Sequence, residues 1–281
     1  MKIAFWSNAQ DSIGVTSNLA CISVASAFAY SYKAVLMENH VQKNKLENLL
    51  MYNLASRKRE IQYQSKHLGL GFMINYMNNL YEDHNYKYSN DAIKGASLEI
   101  LSDSLYYLPL DYIQNSIAFD YNLYGSIKDI LNQLDYFADI TYIDTSNSNH
   151  LSSKIILEEA DLIVVNFIQN KFLIGSFFEN YSSILHKCVF LISNYHTGSK
   201  LNLNTISKEH LIDPTHIVAI PYNIEYQEAV LQGTVVEFIT RNYKCKKKNP
   251  NYRFVYEVKK AVNMIISSIE SEPKRRIAAR S

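Results

Sequence analysis

Short apolar runs alternate along the chain with longer stretches in which apolar residues recur at helical spacing. Several short runs consist almost entirely of aliphatic and aromatic residues, a pattern typical of strands that helices cover on both faces. The runs that predict strands are Lys2–Trp6, Ala34–Met37, Tyr106–Leu108, Ile140–Ile143, Leu162–Phe167, Val189–Ser193 and Ile217–Ile220. The predicted helices are Val15–Tyr30, Lys45–Leu54, Ser126–Phe137, Phe172–Ser182, Thr205–His210 and Phe254–Ile269. This alternation predicts an α/β fold with a doubly wound, mostly parallel sheet, whose ligands bind at the carboxyl ends of the strands.

The 281 residues are enough for one large domain of this kind. We expect a single domain over residues 1–270, with a variable helical insertion at about 57–91, where tyrosines and asparagines interrupt the apolar pattern. Residues 271–281 are basic and lack an apolar period, so they predict a disordered tail. The apolar run Leu19–Tyr32 is too short to span a bilayer and contains serines, so we expect a buried helix and no transmembrane segment.

Composition narrows the classes of function. A hydrophobic fraction of 47% and a formal net charge of +1 exclude a disordered chain and give no general support for nucleic-acid binding. Cys21, Cys188 and Cys245 are far apart and form no C-x-x-C motif, as expected for reduced thiols in the cytoplasm. The eight histidines show no H-E-x-x-H pairing, so their spacing predicts no metal cluster.

The segment between the first predicted strand and the first predicted helix reads SNAQDSIGVTS over residues 7–17. It stands where a phosphate-binding loop, G-x-x-x-x-G-K-[ST], would lie. Gly14 and Thr16 keep the second glycine and the Mg²⁺-binding hydroxyl, whereas Ala9 replaces the first glycine and Val15 replaces the lysine. The N–H groups at the start of the following helix would attract an anion. Taken alone, the segment favours an ordinary β–α turn, because two matching motif positions are a weak signal.

Further motifs follow the predicted strands in order. They are Ala34–His40, Phe137–Thr145, Ala160–Val165, Leu191–Asn194, Ile220–Ala229 and Gly233–Val236. Together with Gln10–Thr16, they resemble the deviant Walker A loop, the Walker B strand and the I-P-x-N-x-x-x-x-E-A signature of the MinD/ParA family of P-loop ATPases. The resemblance spans nearly the whole chain, with residues 57–91 the least matched, and it implies a P-loop NTPase fold.

The resemblance also implies ATP and Mg²⁺ as cofactors and a set of site residues. Those expected at the nucleotide are Ala9, Gln10, Asp11, Ser12, Ile13, Gly14, Val15, Thr16, Ser17, Asn194, Pro221 and Asn223. Thr16 would coordinate Mg²⁺, Asp144 would bind it through water, and Glu38 would position the attacking water. His40 replaces the second acidic residue of the family's strand motif.

The loop departs from the family in its cations. Gln10 stands in place of the signature lysine that reaches the partner's nucleotide in the family's dimers, and Val15 replaces the P-loop lysine. Ser12 and Ala9 also remove glycines where the backbone must curl around phosphate. One charge-stabilising group contributes roughly a hundredfold or more to such a reaction, so efficient hydrolysis is not expected. Atypical loops of this kind resemble those of the TadZ/CpaE-like branch, which positions pilus-assembly machinery.

These observations favour a cytoplasmic protein of positioning or assembly (pilus, partition or division type) that acts through nucleotide-modulated homodimerisation and a protein partner. A slow Mg²⁺-dependent ATPase of the ParA type and a nucleotide-free scaffold remain as alternatives. Peripheral association with membrane or nucleoid is open as well. A basic segment would supply contacts to nonspecific DNA, and the alternative is a solvated loop before the last helix. Its lysines are Lys244, Lys246, Lys247 and Lys248.

Overall fold

The computed structural model describes residues 1–9, 13–40, 45–51, 68–82, 89–110, 115–147 and 150–270. Within these residues eight strands form one sheet in the order β3-β4-β2-β5-β1-β6-β7-β8. The strands are β1 Lys2–Trp6, β2 Ala34–Glu38, β3 Leu98–Leu101, β4 Leu105–Tyr107, β5 Ile140–Asp144, β6 Leu162–Phe167, β7 Cys188–Tyr195 and β8 Ile217–Pro221. All neighbours pair in parallel except β3 and β4, which are antiparallel at one edge.

Helices cover both faces of the sheet. They are α1 Val15–Ala29, α2 Lys45–Met51, α3 Gly69–Glu82, α4 Asn90–Ala96, α5 Ser116–Phe137, α6 Leu151–Glu159, α7 Lys171–Asn180, α8 Leu203–His210, α9 Ile224–Gln232, α10 Val235–Asn242 and α11 Tyr252–Glu270. Two short 3₁₀ helices cover Ser182–Lys187 and Pro214–His216. Residues of α1, α2 and α9–α11 form one hydrophobic cluster, and residues of α3–α8 form the other on the opposite face. The predicted doubly wound α/β fold is therefore confirmed.

The central strands explain why the apolar pattern was readable. Every residue of β1 and of β6 is buried, since Ile3 and Phe5 contact one cluster while Ala4 and Trp6 contact the other. A strand buried on both faces has no polar alternation, so its bounds follow the apolar run directly. Both strands have the predicted bounds.

Helix α5 begins at Ser116 rather than at the predicted Ser126. Asn115 caps it, because its Oδ1 accepts hydrogen bonds from the backbone N–H groups of Ile117 and Ala118. Exposed apolar residues in the first turns, including Ile117 and Tyr121, obscured the helical period. Helices α3, α4, α6, α9 and α10 and the edge strand β3 were not predicted individually.

The segment predicted as an insertion at about 57–91 lies only partly within the described residues. Helix α3 falls inside it, and buried Met73, Ile74 and Met77 of α3 belong to the same hydrophobic cluster as α5. Residues 52–67 and 83–88 and the predicted tail 271–281 lie outside the described residues. None of the helices in the described part of the chain is both long and apolar enough to cross a membrane.

Candidate functional site

The carboxyl ends of β2, β5 and β1 lie side by side. Glu38 is the last residue of β2 and Asp144 the last of β5, and the two are paired in register. Asp144 is also the register partner of Phe5 in β1. Parallel strands therefore bring two acidic residues from distant parts of the sequence to one edge of the sheet, where open α/β sheets bind their ligands.

The loop after β1 ends at Gly14, which caps helix α1. Gly14 has φ 83° and ψ 20°, a left-handed backbone conformation that favours glycine. A Cβ on Gly14 would stand 3.4 Å from the side chains of Ser17 and Ser193, so there is little spare room. Among the described residues, no side chain caps the start of α1. The first turn of this helix can therefore present its N–H groups and positive dipole end to an anion.

The predicted loop residues differ in how far the structure describes them. Gln10, Asp11 and Ser12 lie outside the described residues, and Ile13 is buried. Val15 packs against the hydrophobic cluster of the α1 face, so the side chain at the lysine position contributes to core packing. Thr16 and Ser17 are partly buried in the first turn of α1.

A buried amide network lies directly beneath this turn. The Nδ2 of Asn18 donates hydrogen bonds to the Oδ1 of Asn166 at 2.9 Å and to the Oγ of Ser193 at 2.8 Å. Asn166 is completely buried within β6, and its own Nδ2 donates to the carbonyl of Val164. The network ties α1 to β6 and β7 without any charged group. Sequence reasoning missed it, although an asparagine within an apolar strand was a visible signal.

Glu38, His40 and Asp144 form a compact polar cluster on the β2–β5 side. The Nε2 of His40 lies 3.2 Å from Glu38 Oε2 and 3.0 Å from Asp144 Oδ2. Glu38 is fully buried, Asp144 is 2% exposed, and the side chain of His40 is 13% exposed. The hydroxyl of Tyr107 donates a 2.5 Å hydrogen bond to Glu38 Oε1. Histidine spacing predicted no such cluster, because carboxylates complete it and one of them, Asp144, comes from β5.

Burial dominates the electrostatics of Glu38. Desolvation raises the pKa of its carboxyl to about 7, with the neighbouring Asp144 charge adding to the rise. His40 and the hydrogen bond from Tyr107 act in the opposite direction. Burial also raises the pKa of Tyr107 well above its ordinary value, so this hydroxyl stays a neutral donor at physiological pH.

Asn39 holds the short turn that carries the cluster. Its backbone N–H donates to the carbonyl of Asp144, and its Oδ1 accepts from the backbone N–H of Ser146 at 2.7 Å. Its Nδ2 donates to the hydroxyls of Ser152 and Ser153 in α6. The fully buried Asn39 therefore anchors the segment between Glu38 and His40.

The predicted base-contacting residues lie at the ends of β7 and β8. Asn194 has a left-handed backbone with φ 48°, and its Oδ1 accepts a 3.4 Å hydrogen bond from Gln227 of α9. Pro221 ends β8 as the register partner of Tyr195. Asn223 caps α9 by accepting from the N–H of Tyr226 at 2.7 Å, which by itself explains an asparagine there.

Strand order relates these parts. Strand β1 and its loop lie between β5, which carries Asp144, and β6 and β7, which carry Asn166 and Asn194. The hydroxyl of Tyr226 also donates a hydrogen bond to the backbone carbonyl of Ser17, which joins α9 to the first turn of α1. The structure thus arranges the carboxylate pair, the glycine-capped helix and the asparagine edge along one end of the sheet.

The basic segment follows helix α10. Lys244, Lys246, Lys247 and Lys248 are exposed in the connection between α10 and α11. The side chain of Lys259 donates to the carbonyl of Tyr243 and helps to fix this connection to α11. Exposed lysines fit both the predicted DNA contact and a solvated loop.

A parallel sheet with a glycine-capped helix after its central first strand is an arrangement in which doubly wound α/β proteins can hold an anion at the carboxyl ends of the strands. No protein-family profile matches the sequence, and no curated protein sequence matches it. Solved structures do match. A ParA family ATPase from Chlorobium tepidum TLS is 14% identical, with 93% of this chain and 98% of that chain covered and a TM-score of 0.69.

Two MinD structures match over a similar length. MinD from Pyrococcus horikoshii OT3, complexed with Mg-ADP, is 13% identical with a TM-score of 0.65, covering 96% of this chain and 98% of its own. MinD in the MinC:MinD complex of Aquifex aeolicus is 13% identical with a TM-score of 0.63, covering 95% and 96%. The fold is therefore that of the ParA and MinD ATPases. At these identities the likeness establishes the fold, and the chemistry must be argued from the site.

Proposed function

We propose that this chain is a nucleotide-responsive positioning or assembly protein whose phosphate loop binds ATP without rapid turnover. The observation that carries the proposal is the uncharged, glycine-capped start of α1 between the ends of β5 and β7. Phosphate would be held by N–H groups and by the helix dipole. Val15 packs into the core at the lysine position, so the described part of the loop supplies no cation.

The oxygen donors at the site fit Mg²⁺. Thr16 offers a hydroxyl in the first turn of α1, and Asp144 offers a carboxylate at the end of β5; such hard oxygen ligands suit this ion. Thr16 and Asp144 would hold it together with the nucleotide. When bound, Mg²⁺ supplies positive charge to the phosphate oxygens. The base of the nucleotide would lie beside Asn194, Pro221 and Asn223.

The protein partner and the homodimer belong to this proposal by analogy. The Aquifex aeolicus structure is of a MinC:MinD complex, so at least one protein of this fold assembles with another protein. We propose a similar role for this chain in a pilus, partition or division system, with a TadZ/CpaE-like role among these. A cytoplasmic location and contacts of Lys244, Lys246, Lys247 and Lys248 with nonspecific DNA are part of the same hypothesis.

A slow ATPase is the second candidate, and Glu38 favours it. Its carboxyl lies in register with Asp144, and its raised pKa of about 7 is near the operating range of a group that orients or deprotonates water. Both of its oxygens, however, already have partners in Tyr107 and His40. These partners limit the freedom of Glu38 to turn toward a water molecule.

Two measurements test the proposal: ATP affinity by calorimetry, with and without Mg²⁺, and the rate of phosphate release. We expect the wild type to bind ATP without appreciable phosphate release. Gly14→Ala should bind ATP roughly tenfold more weakly, because alanine disfavours the left-handed backbone conformation of this position. Gly198→Ala is the matched control, since a Cβ there meets nothing within 4 Å.

The other outcomes favour the alternatives. If the wild type releases phosphate and Glu38→Ala abolishes that release, the slow ATPase is supported. Failure to detect binding at millimolar ATP would contradict both nucleotide hypotheses and leave the scaffold.

A further inference from the structure

The cluster of Glu38, His40 and Asp144 differs chemically from an all-oxygen magnesium site. Its three potential ligand atoms, two carboxylate oxygens and one imidazole nitrogen, all lie within 4.8 Å of one another. Mg²⁺ is bound through oxygen and keeps several waters, whereas imidazole nitrogen suits zinc and other transition ions. The nitrogen therefore changes which ion these residues would select.

The distances fit a shared ion. His40 Nε2 lies 3.0 Å from Asp144 Oδ2 and 3.2 Å from Glu38 Oε2. Two ligands about 2.1 Å from a tetrahedral ion lie about 3.4 Å apart, so small outward shifts of these atoms would accommodate one. The same Nε2 faces both carboxylates, and as a hydrogen-bond donor it has a single proton to divide between them.

Charge balance points the same way. Glu38 and Asp144 place two carboxyl groups among residues that are buried or nearly so. A divalent cation bound to two ionised carboxylates and a neutral imidazole would make the cluster neutral, which is the arrangement that burial favours. His40 is the most exposed of the three side chains, so an ion would enter from its side.

Neighbouring residues hold the potential ligands in place, as the residues that contact metal ligands do in metalloproteins. Tyr107 donates to Glu38 Oε1, which leaves Oε2 directed toward His40. Asn39 anchors the intervening turn through the Asp144 carbonyl and through α6. Such outer contacts fix ligand orientation and tune metal affinity.

From this geometry we infer that Glu38, His40 and Asp144 form a site for a divalent transition-metal ion, of which Zn²⁺ is the first probe. The site deepens the proposed nucleotide site, because it shares Asp144, yet it requires no nucleotide. An ion held there would replace an all-oxygen magnesium site with a mixed nitrogen–oxygen one. Metal would then be bound before the nucleotide arrives.

The test is a calorimetric titration of metal-free full-length protein with Zn²⁺, Mn²⁺ and Mg²⁺ in the absence of nucleotide. We expect one Zn²⁺ per chain and weaker binding of Mn²⁺ and then Mg²⁺. His40→Gln should weaken Zn²⁺ binding at least about tenfold, since it removes the imidazole. His40→Asp should narrow the preference for Zn²⁺ over Mg²⁺ by converting the ligands to oxygen.

His150→Gln is the matched control, because the ring of His150, at the start of α6, lies 3.7 Å from Asp120 of α5 and outside this cluster. It should bind Zn²⁺ like the wild type. If His40→Gln does not fold, as judged by circular dichroism, Tyr107→Phe keeps all three ligands and should still weaken Zn²⁺ binding roughly tenfold.

Absence of Zn²⁺ binding by the wild type, or equal affinity in a folded His40→Gln, would overturn the inference. The proposed function fails separately, through loss of ATP binding measured with Mg²⁺. Zn²⁺ uptake without ATP binding would therefore keep the metal site and reject the nucleotide role, and ATP binding without Zn²⁺ uptake would do the reverse.

Discussion

The two sides of strand β1 differ in charge. On the β5 and β2 side, the strand ends carry two buried carboxylates with an imidazole between them. On the β6 and β7 side, the polar groups described beneath and beside the start of α1 are amides and hydroxyls, from Asn18 to Ser193. The acidic side is therefore suited to a cation, whereas the groups described on the β6 and β7 side could hold an anion through dipoles and hydrogen bonds. Residues 7–17 contain no lysine or arginine, whereas acidic residues end both β2 and β5.

Asn18→Ala should produce the largest effect, because it removes the centre of the neutral side. The Oδ1 of Asn166 and the Oγ of Ser193 would both lose their buried Asn18 donor. We expect the free energy of unfolding to fall by about 2–4 kcal/mol, measured by urea denaturation.

Asn180→Ala is the control for that change, since Asn180 is exposed and its Nδ2 bonds to Ser176 within its own helix. It should change stability by less than about 0.5 kcal/mol. Equal losses of stability in the two variants would mean that the buried network does not stabilise the packing of α1 more than an exposed hydrogen bond does.

Val15→Lys should have an intermediate effect by returning a cation to the neutral side. Val15 is partly buried against the hydrophobic cluster, so a lysine there must extend its stem along that surface. We expect a stability loss of about 1 kcal/mol and roughly tenfold tighter ATP binding, because a charge-assisted bond replaces neutral ones. Calorimetric titration with ATP measures the gain.

Val236→Lys provides a matched comparison, since Val236 is also partly buried against the same hydrophobic cluster but lies in α10. It should lose similar stability without gaining ATP affinity. Tighter ATP binding in this variant would show that the added charge acts nonspecifically.

Asn194→Gly should have the smallest effect on stability, within about 0.5 kcal/mol, because asparagine tolerates its left-handed conformation almost as well as glycine. If Asn194 contacts the base of ATP, ATP affinity should nevertheless fall severalfold. Leu211→Gly is the matched control, because it also places glycine at a left-handed position, here at an exposed helix end with φ 55°. There we expect about 1 kcal/mol of added stability and unchanged ATP affinity. Unchanged affinity in Asn194→Gly would remove Asn194 from the proposed site.

Local patterns predicted the fold, and long-range pairing explains what they missed. Strands β1 and β6 could be read because both faces are buried, whereas β3 is a short edge strand with an exposed Glu99 and carries little signal. Helix α5 was shortened because its first turns expose apolar side chains.

At the site, the end-of-strand positions of Glu38 and Asp144 were predictable, because strand ends could be counted from the apolar runs. The hydrogen bonds from Asn18 were not, since its partners Asn166 and Ser193 lie 148 and 175 residues away in the sequence. His40 was readable as a substituted acidic position, but its approach to both carboxylates depends on the register of β2 with β5.

The bond from the Tyr226 hydroxyl to the Ser17 carbonyl attaches helix α9 to the first turn of α1. Ser17 lies in the turn where phosphate would bind, and Tyr226 shares helix α9 with the exposed Ile224 and Leu231. A ligand that displaces this turn would pull on α9 through that buried tether. The exposed residues of α9 would then move with the first turn of α1.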